Sequence, residues 1–331
     1  MKWRILALAA GAVLFVAAAL LFAKVSPLEA ASMLVKGSLG SGSAFGGTLR
    51  ETTPLLIAGL AVFVALRAGL FNIGVEGQLT VGALACAAVA LHFPGFAGLL
   101  LGTLAAMLVG AAWALPAGLI RAYRNGHEVI TTIMLNSVAV YLTGYLVEGP
   151  LKSKTLEEPS TDTLSAATRL PNLYSAGNFQ LSAGLLIGIV ATAAIAVWLQ
   201  RTISGYELQA VGANATAARF AGVDPKRVVV RSMLLSGAIA GLAGAVQVLA
   251  YEGRFYVGFS PGYGFDALGV ALLAGNSALG VIPAGLLFGV LTKGGVALQV
   301  DNVPKGITTV ILGLLILIAA AVRYRGVKTV A

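Results

Sequence analysis

Charge is what this sequence has least of. Of 331 residues, only 11% are Asp, Glu, Lys or Arg, 58% are apolar, and the mean hydropathy is +0.91. A soluble domain carries about 25% charged residues, so this chain cannot cover a water-facing surface. Cysteine is nearly absent as well: Cys86 stands alone, and a disulfide within the chain is excluded. Two histidines, His92 and His127, are too few and too far apart for a Cys/His metal cluster. No Gly-x-x-x-x-Gly-Lys-[Ser/Thr] loop, serine elbow or zincin helix occurs. Any ATP chemistry must therefore belong to a partner, and an integral membrane enzyme would lack its catalytic constellation. What the chain does have is long apolar runs, 42 glycines and much alanine. Unbroken apolar runs point to helices, since membrane barrels show weak alternating strands. The fold class expected is an all-α polytopic membrane protein. Gly237–Gly241 is one Gly-x-x-x-Gly helix-packing pattern, although such spacing arises easily by chance in a Gly-rich chain.

A spanning helix needs roughly 20 apolar residues. Candidates are 5–23, 54–66, 79–93, 96–120, 129–147, 181–199, 232–250 and 306–322. The first run is too long for a signal-peptide core and reads as a retained span. Residues 267–292 carry no charge but are interrupted by Gly275-Asn276-Ser277 and Pro283. They form either one long tilted helix or two segments meeting at that break. Lys2 and Arg4 at one end, with Arg323, Arg325 and Lys328 at the other, place both termini on the cytoplasmic side. Splitting the long stretch satisfies this with about ten spans, some short or broken. On that topology thirteen basic and four acidic residues lie inside, a net of +9, which is the whole net charge of the chain. The basic excess thus records membrane orientation and needs no nucleic acid. The chain reads as one transmembrane domain, 1–331, with a polar external loop at 148–180 and a basic internal loop at 200–227.

Three polar clusters interrupt this apolar background. The run LFNIGVEGQL (Leu70–Leu79) sets Asn72, Glu76 and Gln78 among Gly74 and Gly77. Ionisable groups at membrane depth cost about 2.5–3.5 kcal/mol on insertion scales, and each glycine weakens a helix by nearly 1 kcal/mol, roughly. Two readings fit: a break between spans with its polar groups turned inward, or a cytoplasmic turn with Glu76 solvated. In GHEVITTIMLNSV (Gly126–Val138), Glu128 opens a span, and Thr132 and Asn136 share one helix face. This face either packs against another helix or lines a pore. The third cluster is Gly275-Asn276-Ser277. Broken helices in both halves of a transporter often mark the substrate path.

At this point the residues resemble a known family. GLFNIGVEGQ (Gly69–Gln78), EVITTIMLN (Glu128–Asn136) and GYELQAVGANATAARFAGVDPKRV (Gly205–Val228) look like permease subunits of bacterial ABC importers. The nearest branch is that of nucleosides and simple sugars, within the ribose and branched-chain amino acid permeases. The similarity runs from about Thr53 to Arg323, and it departs at His127, where the branch pattern has Asn. It implies a type II importer-like fold in the bacterial inner membrane. The implied partners are two cytoplasmic ATPases that bind ATP and Mg, a second permease (identical or related), an external substrate-binding lipoprotein and membrane lipid. Neither a catalytic nor a metal site is implied on this chain. The expected substrate path comprises Asn72, Glu76, Gln78, Glu128, Thr132, Asn136 and Asn276. The expected ATPase-coupling loop comprises Gly205, Glu207, Gly212, Asn214, Arg219 and Gly222. The solute implied is a nucleoside; ribose-like sugars and branched-chain amino acids are the alternatives, and an ion-coupled secondary transporter is the rival mechanism.

Overall fold

The computed structural model describes residues 25–177 and 179–300, with single positions nearer the ends at 11, 14, 306, 309–311, 313 and 314. Among the described residues, seven helices are long and apolar enough to cross a membrane, and an eighth apolar helix is shorter. The expected spans 5–23 and 306–322 lie outside the described residues.

Helix α1 is Pro27–Leu39, closed at its start by a reciprocal capping box between Ser26 and Glu29. Helix α2, Gly42–Arg67, starts twelve residues earlier than its apolar run suggested, because Ser41 caps it and the Gly/Ser-rich stretch is helical. Pro54 sits inside α2, where a proline removes one backbone hydrogen bond. Just before it, the Thr52 and Thr53 hydroxyls donate to the carbonyls of Thr48 and Leu49, both at 2.8 Å. Helices α3 (Val75–His92), α4 (Gly95–Arg124), α5 (Glu128–Glu148) and α6 (Ala183–Arg201) follow. Next come two short helices, α7 (Ile203–Ala213) and α8 (Ala215–Phe220), then α9 (Pro225–Gln247), which ends in a single π-helical turn, Val248–Glu252. The uncharged 267–292 stretch is two segments: α10 (Tyr263–Ala274) and α11 (Val281–Val300), broken at Gly275-Asn276-Ser277.

Helices α2, α3 and α9 form the interior; α4, α5 and α6 are largely exposed. Close packing inside comes from glycine. A Cβ on Gly241 would stand 2.0 Å from the Ala106 carbonyl oxygen, and one on Gly237 would stand 2.4 Å from that of Gly110. Both are on α9 facing α4, so the Gly-x-x-x-Gly pattern is a working interface here. Basic side chains from three helix ends meet on one face: Arg121, Arg219 and Lys226 line one concavity there.

The opposite face departs from the all-α expectation. Strands β1 (Asn172–Ala176) and β2 (Phe179–Ser182) form a small antiparallel hairpin. The preceding loop is stitched to the segment after α9: Thr161 N–H donates to Phe255 O (2.9 Å), and Leu164 N–H donates to Gly253 O (2.8 Å). Ion pairs Arg254–Glu158 (3.1 Å) and Arg50–Glu252 (2.8 Å) reinforce that face.

Candidate functional site: a buried amide knot and a basic face

Residues 68–74 connect α2 to α3, with Gly69 and Phe71 facing out and Leu70, Asn72 and Gly74 turned inside. Helix α3 begins at Val75, so Glu76, Gly77 and Gln78 are helical, and the break is shorter than the Asn72–Gln78 run implied. The glycines do not melt it, because a neighbour takes up the exposed backbone. The Asn136 Oδ1 accepts from Gly77 N–H at 2.9 Å, and a Cβ at Gly77 would press on that same side chain. The Asn136 amide donates back to Ile73 O at 3.0 Å. Thr132, one turn earlier, is fully buried beneath Gly74, and its hydroxyl donates to Val129 O at 3.1 Å.

Asn72 is the centre. Its Nδ2 donates to Gln78 Oε1 and to Ser236 Oγ, both at 2.9 Å, and its Oδ1 accepts from Gly74 N–H (3.0 Å) and Gln78 Nε2 (3.1 Å). Ser236 passes the chain on by donating to Ala61 O at 2.7 Å. Glu76 Oε2 accepts from Gly264 N–H at 2.7 Å. Five helices, α2, α3, α5, α9 and α10, are tied together. Asn72 and Gln78 are at most 1% exposed; Asn72 has its full set of four bonds within the chain, and Gln78 is paired to it through both amide atoms. Such satisfaction is what low-dielectric burial of amides demands. Of the two readings of LFNIGVEGQL, the structure has the inward-turned break and not the solvated turn.

The remaining expected path residues are not gathered at this centre. Glu128 sits at the basic end of α5, 3.3 Å from Arg121 Nε. Asn276 is exposed on the basic face, and its Oδ1 accepts from Arg67 Nη1 at 3.2 Å. Beside Glu76 lies a cavity of about 60 Å³, walled by Thr80, Val140, Thr143, Phe255 and Ser260. That is well below the roughly 300–1,000 Å³ of a small-molecule pocket. Reading the sequence missed Ser236, Ser260 and Gly264, which join the knot from elements more than 150 residues away; no local pattern marks them. Among the described residues no three His, Cys, Asp or Glu gather as metal ligands would.

The basic face carries the second site. Each short helix there has its own start signal: Thr202 Oγ1 accepts from Gly205 N–H (3.1 Å), Asn214 Oδ1 from Ala217 N–H (2.9 Å), and Asp224 Oδ1 from Lys226 N–H (3.0 Å). Asn214 is thus a helix cap. Gly222, at φ +87°, adopts the left-handed turn that releases the chain toward α9. Gly205 and Gly212 are packing positions: Cβ atoms there would lie 2.3 Å from Trp198 O and 2.1 Å from Arg67 O. Glu207 is half-buried and lines an apolar cavity of about 430 Å³ with Trp198 and Arg231. Arg219 is exposed and opens onto the basic concavity. Apolar groups missed in the sequence stand out here: Ile203, Tyr206 and Phe220 are exposed, Phe220 by 91%.

Comparison with known proteins decides what kind of molecule this is. The family described as "Branched-chain amino acid transport system / permease component" matches residues 44–320. The chain belongs to that family. It is 41% identical over 323 residues to a glucose ABC transporter permease protein of Haloferax volcanii, covering 94% of this chain and 83% of the relative. It is 37% identical over 326 residues to a guanosine ABC transporter permease protein of Bacillus subtilis, covering 96% and 91%. A nucleoside ABC transporter permease protein of Lactococcus lactis is 34% identical over 305 residues, covering 89% and 84%. No solved structure matches. The chain is a multi-pass membrane permease subunit of the ABC transporter class, homologous to nucleoside permeases and not to the ATPases that drive them.

Proposed function

We propose that this permease carries nucleosides inward across a bacterial inner membrane, driven by ATP and Mg bound on two partner ATPases at the basic, cytoplasmic face. The observation that carries this reading is the similarity to the guanosine permease along 96% of the chain. Both termini lie on that same face, about ten spans are present in all, and the fold is of the type II importer kind. An identical or related permease completes the pathway, and an external lipoprotein delivers solute to the hairpin-bearing face at 149–182. Helices α7 and α8 dock on the ATPases through Tyr206, Phe220 and Arg219.

The path runs along the exposed side of α5, where Ile130, Met134, Tyr141 and Tyr145 make one stripe at helical spacing. Glu76 and the 60 Å³ cavity beside it form the narrow point of the closed pathway. Asn72, Gln78, Thr132 and Asn136 hold its wall in place and do not touch solute; Glu128 and Asn276 serve the basic face. Weak contacts suit the task, since a transporter must release what it binds.

The 41% identity to a glucose permease supports a second reading, in which the solute is a simple sugar. One experiment separates them. In proteoliposomes containing the whole complex and its binding lipoprotein, ATP-dependent uptake of labelled guanosine should saturate and be suppressed by excess unlabelled adenosine but not by glucose. Suppression by glucose alone, or labelled glucose entering where guanosine does not, would replace the nucleoside reading with the sugar one.

A further inference from the structure

We infer that Arg67 is the positioning residue that transmits movement of the ATPase-docking helix to α10, whose first turn bonds Glu76 beside the narrow point of the path. This rests on the coupling role proposed above for α7 and α8, and it names the link which that role requires.

The geometry isolates Arg67 as a junction. It is the last residue of α2, a helix whose residues 55–65 are all buried. One guanidinium nitrogen donates to Gln209 Oε1 on α7; the other terminal nitrogen donates to Asn276 Oδ1 in the turn that ends α10. Gln209 is itself held in a fixed aim. Its Nε2 donates to Leu199 O (2.7 Å) and also to Gly205 O (3.3 Å), so the amide oxygen has one direction left, toward Arg67. Beside this contact the backbones touch: a Cβ on Gly69 would stand 3.3 Å from Gly212 Cα. A shift of α7 therefore presses on the α2–α3 turn and pulls on the Arg67 side chain together.

Helix α10 is held at both ends. At its start, Gly264 N–H donates to Glu76 in the buried knot; at its finish, Asn276 bonds Arg67. The helix between them has twelve residues in all, and at 1.5 Å per residue it is a rod of about 18 Å. Displacing its lower end tilts its upper end against Glu76 and the cavity there. The chemistry of the lower contact suits a joint that must open and close. Among the described residues no carboxylate lies within ion-pair distance of Arg67, and both of its acceptors are neutral amides. Its Nε is buried with no acceptor. Breaking such a contact strands no buried counter-charge, whereas breaking a buried ion pair does.

The test uses the whole transporter, with partner permease, ATPases and binding lipoprotein, in proteoliposomes, and labelled guanosine as the probe. The quantity read is guanosine taken up per ATP hydrolysed. Arg67→Gln should leave the thermal melting of the purified complex and its ATPase activity near wild type, while lowering uptake per ATP by roughly tenfold or more, within the usual range of coupling between distant sites. Arg67→Lys, with one point donor in place of a planar fork, should recover part of the loss. Should Arg67→Gln fail to assemble, Gln209→Leu and Asn276→Leu each sever one arm. Each should then lower uptake per ATP, and the double variant should be no worse than the more affected single one. Wild-type uptake per ATP in Arg67→Gln, or in both single-arm variants, overturns the inference; so does a loss that simply tracks loss of folded complex. A wild-type complex that never couples guanosine uptake to ATP would fail the proposed function instead, before any variant is made.

Discussion

Two of the chain's helix breaks, at residues 68–74 and at 275–280, use the same vocabulary of glycine and asparagine and do opposite things. In the first, Asn72 is fully buried and makes four hydrogen bonds within the protein. In the second, Asn276 is exposed and is met by one side chain, Arg67. Gly69 and Gly275 both take positive φ, at +75° and +65°, so the backbone device is shared. Surroundings separate them. An amide surrounded by apolar helices must be paired at all times, because each unpaired buried group costs about 1–3 kcal/mol. At the surface, water replaces a lost partner, so that contact is free to be made and broken. The inner break therefore fixes geometry, and the outer one is available for motion.

This contrast can be broken experimentally, beginning with the largest effect. Asn72→Leu should destabilise the folded permease by about 4 kcal/mol, since Gln78 and the Gly74 N–H would be left buried without partners. The measurement is folded yield and melting of the detergent-purified complex; wild-type melting would show that the knot is not structural. Gly241→Val is expected to cost about 2–3 kcal/mol from overpacking, because even a Cβ there would lie 2.0 Å from a carbonyl oxygen of α4. The same melting assay reads it, and an unshifted transition would mean that α9 and α4 separate easily. Asn276→Leu should change stability by less than about 0.5 kcal/mol, as surface substitutions usually do, yet reduce uptake per ATP. If it melts as early as Asn72→Leu, the distinction between the two breaks collapses. Phe220→Asp sharpens the comparison at its far edge. With the ring 91% exposed, melting should not move, while stimulation of the ATPases by loaded binding protein should fall in the reconstituted complex; full stimulation would remove Phe220 from the docking surface.

Much of the layout was legible in the sequence. Spans followed from apolar runs, and six of them lie where those runs are, although every one of these helices extends beyond its run. The reason is visible at particular residues. Ser41 caps a helix that begins in a Gly/Ser-rich stretch ahead of its apolar run, and Lys226, Arg227 and Arg231 ride on the first turns of α9 because Asp224 caps it and Pro225 starts it. Hydropathy sees where a helix becomes apolar; caps decide where it begins. The polar cluster at 70–78 was recognisable as a special place. Its partners were not, since Ser236 and Gly264 carry no local mark and reach it only through tertiary packing. The hairpin at 172–182 was hidden for a similar reason: it is a short excursion in a polar loop, held beside residues that follow α9.

Composition alone marked this as a membrane protein of apolar helices, because a lipid-facing surface leaves a direct trace in which residues are used. The quoted motifs pointed to the permease family, which the comparisons establish. What packing alone decided is which asparagine is locked inside and which is left at the surface. Asn72 and Asn276 are the same side chain after similar glycines, and only their depth and neighbours, supplied by helices far away in the chain, set how much it costs to let go.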